Sequence, residues 1–478
     1  MKNNVVLSVL ALFLCATVVS AQRPDIQYFR KWDQQGINVF EPSKIDSVQY
    51  DGFKIRIGGS FTQDFQSLKH ENTANYAPVS GTNPVNKNLL YGVVRGEDST
   101  SAPLTGFNLA MANLNFDFQI ADGIRVSLEN YMSSRHHSEF WVKGGYIQID
   151  KINSVFPNSN TSWFDDNLRV KIGHFVPNYG DMQFRRTDGG NAMFNPFVEN
   201  YIFDAFTTEI GGEVYAFLGA DKNIMVMGGM TSGFINGNIE NYPEAINSSG
   251  VEATKKSPSI FGKVAYDKQI STDLRFRLSA SVYNNSNIAR NTLYAGDRTG
   301  SHYFMVMEPA LQPSGTASSA GSQFTSGRFN PEVSNRVTTF MINPFVKWKG
   351  LEVFGTYEAI SGSVYSDVSG TAPNLSWDKR SFTQFSGEVI YRFLAREQVF
   401  AGLRYIGASG EARNIRNSDG SQANVSINRT AFAAGWFPTR NLLLKGEYVV
   451  QNYVDFPTAD YRNEGTFGGF MVQAVVGF

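Results

Sequence analysis

Apolar and polar residues alternate along most of this chain with a period of two. In LRFRLSASV, Leu274, Phe276 and Leu278 share one face while Arg275 and Arg277 share the other, the signature of strands with two different surroundings. Phe53, Ile55 and Ile57 oppose Lys54 and Arg56 in the same way, and Phe470, Val472, Ala474, Val476 and Phe478 form one face of the final segment. Sixteen such segments are predicted. They lie near 53–63, 107–120, 124–133, 140–150, 167–174, 206–218, 222–232, 258–267, 273–284, 336–348, 351–361, 381–394, 399–409, 424–437, 442–453 and 466–478.

The connections alternate in length. Turns after even segments are mostly brief, as at Asp122 and Gly123 or at Lys349 and Gly350, whereas those after odd segments include 64–105, 175–205, 233–257 and 285–335. Short turns on one side and long loops on the other are the rhythm of an all-β transmembrane antiparallel barrel. The stretch 151–166 is too long for a turn in this scheme. A closed barrel is the one sheet that satisfies its backbone in lipid, because an open edge leaves N–H and C=O groups unpaired.

The cost of burying charge in lipid then sets the register. An arginine or lysine facing lipid near the midplane costs about 2–4 kcal/mol. Arg56, Arg125, Arg169, Lys171, Arg275, Arg277, Arg392, Arg404 and Lys445 are therefore expected inside, with Glu129, Glu209, Glu213, Glu352, Glu358, Glu388 and Glu447. A charged lining implies a watery lumen, and the excess of inward bases over acids favours anions slightly. Phe118, Tyr266, Trp348, Phe393, Trp436 and Phe478 fall on the lipid face near the ends of returning strands, where an aromatic girdle belongs.

Composition narrows the class further. Residues 1–21 carry Lys2, an apolar run from Val5 to Val19 and the small pair Ser20 and Ala21, the features of a cleaved signal peptide. The single cysteine, Cys15, lies within it, so disulfides, thiolate metal sites and cysteine nucleophiles are not expected in the mature chain. Beyond it no apolar run reaches the roughly 18 residues of a spanning helix. The 44 glycines and 38 phenylalanines suit a bending, lipid-facing wall, and a net charge of -1 offers no basic patch for nucleic acid. Residues 22–50 do not alternate and are read as a periplasmic extension, which leaves 51–478 as the barrel.

The third long loop, VPNYGDMQFRRTDGGNAMFNPFVENYIFDAF from Val176, mixes aromatics with both charge signs. It is expected to fold into the lumen and set a constriction with Asp181, Arg185, Arg186, Asp188 and Glu199; packing against neighbouring outer loops is the alternative. Arg185 and Arg186 could clamp anionic solutes, since a guanidinium matches carboxylate and phosphate, or could pin the loop to nearby carboxylates. Catalytic motifs are weak: His136 and His137 sit with Glu139 in a short loop, and His174 has no nucleophile context. Neither a cofactor nor an enzymatic activity is expected.

Together, the strand pattern, the long third loop, terminal Phe478 and the segment NYGDMQFRRTDGGNAMFNPFVENYIFDAFTTEIGGEVY resemble porins of the Bacteroidota outer membrane. They are distantly similar to the phosphate-selective porin O and P family. The resemblance spans most of 50–478, and its distinctive sequence is confined to 178–215. It implies passive diffusion of small hydrophilic solutes, with outer-membrane lipid as surroundings and a homotrimer or other envelope proteins as partners. Phosphate-selective members imply a row of arginines and lysines along the pore; here glutamates interrupt that row. A non-conducting barrel serving as scaffold or partner subunit of an envelope complex is the competing expectation.

Overall fold

The computed structural model describes residues 24–478 except 75–88, 95–99, 102, 136–138, 233–256, 289, 298, 311–324 and 370–375. The expected signal peptide and the pair His136 and His137 lie outside the described residues.

Sixteen antiparallel strands close into one barrel. In chain order they are β1 Lys54–Glu71, β2 Leu104–Ala121, β3 Ile124–Ser133, β4 Trp141–Ile149, β5 Leu168–Phe175, β6 Glu209–Leu218, β7 Ile224–Thr231, β8 Ser259–Gln269, β9 Leu274–Asn285, β10 Arg336–Trp348, β11 Leu351–Ser363, β12 Arg380–Phe393, β13 Val399–Arg416, β14 Gln422–Thr439, β15 Leu442–Val454 and β16 Thr466–Gly477. Each strand pairs with its neighbour in sequence, and β1 pairs with β16 from Glu71↔Thr466 to Ser60↔Gly477 to close the ring. Gly59 and Phe478 then exchange N–H···O bonds of 2.8 and 3.0 Å, so the terminal residue belongs to the seam. Closure leaves no edge to satisfy in lipid.

The alternation read from the sequence is the alternation observed. Along β12, RSFTQFSGEVIYRF, buried and exposed residues exchange at every step: Gln384, Glu388 and Arg392 point in, and Phe385, Val389, Tyr391 and Phe393 point out. On β9, Leu278 and Val282 are exposed and Arg277 is buried. Tyr266, Trp348, Phe393 and Trp436 are exposed on the outside near the short-turn rim.

Two departures have local causes. The stretch 151–166 ends in a short helix, α1 Ser162–Asn167; Asp165 accepts from the Ile152 amide at 2.7 Å and from Thr161 Oγ1 at 2.7 Å, and so folds the long connection into a compact turn. β1 continues beyond residue 63 to Glu71 and β13 beyond 409 to Arg416. There the outward positions become polar, as at Ser67 and Lys69 or Ser409 and Glu411, because these strands rise above the apolar belt, and the contrast between faces that marks a strand in sequence fades.

Candidate functional site in the barrel lumen

The lumen is not an open tube. The third loop, 176–208, runs inside the barrel and is bonded to wall strands around much of its circumference. The Asn178 amide donates to Glu213 on β6 at 2.7 Å, Gly180 to Ser281 on β9 at 3.1 Å and Asp181 to Asn343 on β10 at 2.8 Å. Farther along, Tyr201 OH donates to Glu388 on β12 at 2.7 Å, and the Val198 amide to Glu447 on β15 at 2.8 Å. Lys445 on β15 donates to the carbonyls of Ala192, Asn195 and Phe197 at 2.8–3.0 Å. Buried backbone needs partners in place of water, and here inward polar side chains supply them.

The fifth loop, which follows β9, enters as well through its described residues 291–297, 299–310 and 325–335. Glu199 of the third loop is fully buried and ties the two loops together. Its carboxylate accepts from Ser301 Oγ at 2.7 Å, the His302 amide at 2.5 Å and Arg328 Nε at 2.8 Å. Tyr294 OH donates to Glu358 on β11 at 2.6 Å, Tyr303 OH to Glu447 at 2.6 Å, and His302 Nδ1 lies 2.5 Å from Asp64 on β1. These loops form an aromatic and aliphatic core with the inner wall, including Tyr179, Phe197, Tyr201, Phe203, Tyr294, Tyr303, Phe345 and Phe354.

The third insertion is residues 24–50, which cover the short-turn mouth. Glu41 meets Lys263 and Arg277 at 2.8 and 2.7 Å, Asn38 donates to Glu352 at 2.5 Å, and Lys44 stands 3.5 Å from Asp150. Burial outweighs that carboxylate and pulls Lys44 down to about 8. Gln27 bonds both Gln119 and the Gly123 amide at 2.8 Å.

One charged opening lies to one side of the lumen. A cavity of about 190 Å³ lies between the wall of β2–β6, the third loop and residues 29–42. Asp117, Arg125, Glu129, Lys143, Tyr146, Arg169, Lys171 and Tyr215 line it from the wall; Arg30, Trp32, Phe40 and Glu41 from the N-terminal segment; and Asn178, Phe184, Arg186 and Phe206 from the loop. Its wall bases are paired: Arg125 with Asp117 at 2.9 Å, Arg169 with Asp150 at 2.8 Å, Lys171 with Glu213 at 3.5 Å and Lys143 with Glu129 at 3.9 Å.

Of the five constriction candidates, Arg186 borders this cavity and is held by Asp204 at 2.7 Å and Asp297 at 3.0 Å. Arg185 lies 3.1 Å from Glu388 and over the Phe354 ring. Asp181 is buried with Arg277 and Lys263 at 2.8 and 2.6 Å, Glu199 joins the two loops, and the side chain of Asp188 lies outside the described residues. Pairing to carboxylates, the pinning role weighed for the two arginines, is thus the arrangement present.

Among the wall candidates, Arg125, Arg169 and Lys171 line the cavity. Arg56 stacks over Phe29 at the mouth, and Arg275 pairs with Asp267 there at 2.6 Å. Glu209 accepts from Tyr283 OH at 2.6 Å, and Arg392 binds Glu352 at 2.7 Å. Glu213 and Glu388 receive the third loop. His174, half-buried on β5, has no nucleophile beside it among the described contacts.

The sequence did not disclose the acids Asp150 and Asp267, the insertion of the described fifth-loop residues, or the N-terminal side chains Arg30 and Trp32. The aromatic content of WDQQGINVFEPSK and of the fifth loop was the one available signal. Nothing in their spacing says which wall they meet.

The chain matches no family model and no curated protein. Among solved structures it is similar to the outer membrane channel DcaP of Acinetobacter baumannii, at 11% identity and TM-score 0.48 over 90% of this chain and 99% of that one. It is also similar to an anion-selective porin from Comamonas acidovorans, at 8% identity and TM-score 0.47 over 89% and 100% of the two chains. Salmonella typhi OmpF is similar at 12% identity and TM-score 0.46 over 90% and 99%.

The protein is an outer-membrane barrel. An even ring of antiparallel strands, an apolar outer belt with aromatics at the rim, short turns at one end and long loops at the other are the architecture that membrane requires. Residues 24–50 and Phe478 lie at the short-turn end.

Proposed function

We propose that this barrel is a porin for passive diffusion of small hydrophilic solutes. The observation that carries this reading is the eccentric charged cavity between the β2–β6 wall and the third loop. Solutes move down their gradient along the β2–β6 side. The third loop narrows the passage, with Arg186 at its edge and Asp181, Arg185 and Glu199 holding the loop. Arg125, Arg169 and Lys171 supply wall charge. A mild anion preference accompanies the cationic lining, and assembly into a homotrimer or with other envelope proteins is part of the same proposal.

A second reading is favoured by the same packing. Three insertions fill most of the lumen, and the N-terminal segment spans the periplasmic mouth, as a non-conducting scaffold subunit would have it. Single-channel recording of the purified full chain in a planar bilayer separates the two. Discrete current steps support the porin; a folded but silent barrel supports the scaffold.

A further inference from the structure

We propose that Arg30, carried into the lumen by the N-terminal segment, is the residue that selects for anions in this passage. The inference rests on the porin reading and deepens it, because it assigns the selecting charge to a segment outside the barrel wall.

The argument is one of charge compensation. Six bases line the cavity: Arg30, Arg125, Lys143, Arg169, Lys171 and Arg186. Five have a carboxylate within ion-pair distance, at 2.7–3.9 Å. A paired base presents a dipole to a passing ion, and the field of a dipole falls off faster than that of a lone charge. The inward excess of bases on the strands is thus largely neutralised by further acids, among them Asp150, Asp267, Glu41 and Asp181.

Arg30 is arranged differently. Its Nε donates to the Gly36 carbonyl and its Nη2 to the Phe184 carbonyl, both at 2.9 Å, and its guanidinium stacks on the Phe194 ring at 3.8 Å. Among the described residues it has no ion-pair partner. The guanidinium is fixed by carbonyls and an aromatic face while its charge stays uncompensated beside the cavity, and Arg185, itself near Glu388, adds positive potential. A small anion passing between the N-terminal segment and the third loop meets this net charge where water is scarce and screening weak.

The test is the reversal potential of single channels in a KCl gradient, with the full chain reconstituted in planar bilayers. Arg30→Gln should lower the chloride-to-potassium permeability ratio by about twofold or more. Arg30→Lys should hold it near the wild-type value, as should Lys268→Gln, which removes a base from the short-turn end of β8, 3.8 Å from Asp221 and away from the cavity. An unchanged ratio in Arg30→Gln overturns the assignment, and so does a fall in Arg30→Lys as large as in Arg30→Gln, which would mean that docking rather than charge matters. A silent wild type overturns the diffusion reading together with this one, whereas a conducting wild type with an unmoved Arg30→Gln overturns this one alone.

Chemical modification supplies a second route should Arg30→Gln fail to fold. The sole natural cysteine is Cys15, so a leaderless Arg30→Cys chain carries a single thiol that can be modified after refolding. A positively charged thiosulfonate should restore anion preference and a negatively charged one should reverse it. Equal effects of the two reagents overturn the proposal.

Discussion

Glu41 and Asp181 share one guanidinium: Arg277 Nη2 donates to Glu41 Oε2 at 2.7 Å and to Asp181 Oδ1 at 2.8 Å. Lys263 joins them, at 2.8 Å from Glu41 and 2.6 Å from Asp181. Glu41 belongs to the N-terminal segment, Asp181 to the third loop, and the bases to β9 and β8. Three parts of the chain that meet nowhere in sequence are thereby held by one buried cluster.

Replacing Arg277 by Met should therefore loosen two insertions at once. Removing one partner from a buried ion cluster costs about 3–5 kcal/mol, because a charge stays buried and uncompensated. Limited proteolysis of the folded barrel should show faster cleavage in 24–50 and in the third loop. Glu41→Gln and Asp181→Asn should be strongly non-additive in a double-mutant cycle; additive effects would mean that the cluster does not couple them.

Glu199→Gln should weaken the joint between the third and fifth loops. The carboxylate receives Ser301, His302 and Arg328, and a neutral amide replaces an acceptor oxygen with a donor that faces donors. Open-channel current noise should rise severalfold while strand content by circular dichroism stays unchanged. Noise equal to wild type would show that the loops are held elsewhere.

Glu308 brings a pH dependence. Burial raises its carboxyl to about 7, with Ser326 Oγ donating at 3.1 Å and Arg462 and Arg135 opposing the shift from nearby. A raised acid binds its proton more tightly in the folded state than in the unfolded one, so its contribution is complete below about 4.5 and is lost as pH rises through about 7. Tyr91 donates to the Glu308 carbonyl at 2.9 Å and Ala310 to the Leu89 carbonyl at 2.7 Å. Protection of these two amides against hydrogen exchange, corrected for intrinsic rate, should fall between pH 5 and 8 in the wild type. Glu308→Gln should flatten that slope.

The outer belt is testable by depth. Leu278 faces lipid four residues from Leu274, which pairs with Trp348 of the girdle, so Leu278→Arg should cost about 2–4 kcal/mol. Thr338 faces outward beside Asn284 near the long-loop rim, where the same change should cost about 0–1 kcal/mol. Urea titrations of folding into lipid vesicles compare the two; equal costs would place the belt elsewhere.

Strand positions were legible in the sequence to within a few residues over most of the barrel. The boundaries of β3 and β10 coincide with the predicted 124–133 and 336–348. The tops of β1 and β13 were not legible, because above the belt the outward positions turn polar, as at Lys69 and Glu411, while the inward ones mix polar Gln66 and His70 with apolar Leu68, Ala412 and Ile415. In the lumen, the inward direction of Arg125, Arg169, Arg277 and Arg392 followed from the cost of charge in lipid. Their partners did not: Arg169 binds Asp150, 19 positions away just past the end of β4, while Arg277 reaches Glu41 across 236 positions.

The sequence by itself determined the membrane, the strand count and the face each wall residue presents. Those follow from local period and from one large energy difference, between lipid and water, that acts on every residue separately. The tertiary structure decided what fills the barrel and which charges survive compensation. Those depend on how three insertions without regular periodicity find inward polar groups on distant strands, and such pairing is a property of the closed ring that no single stretch of residues carries.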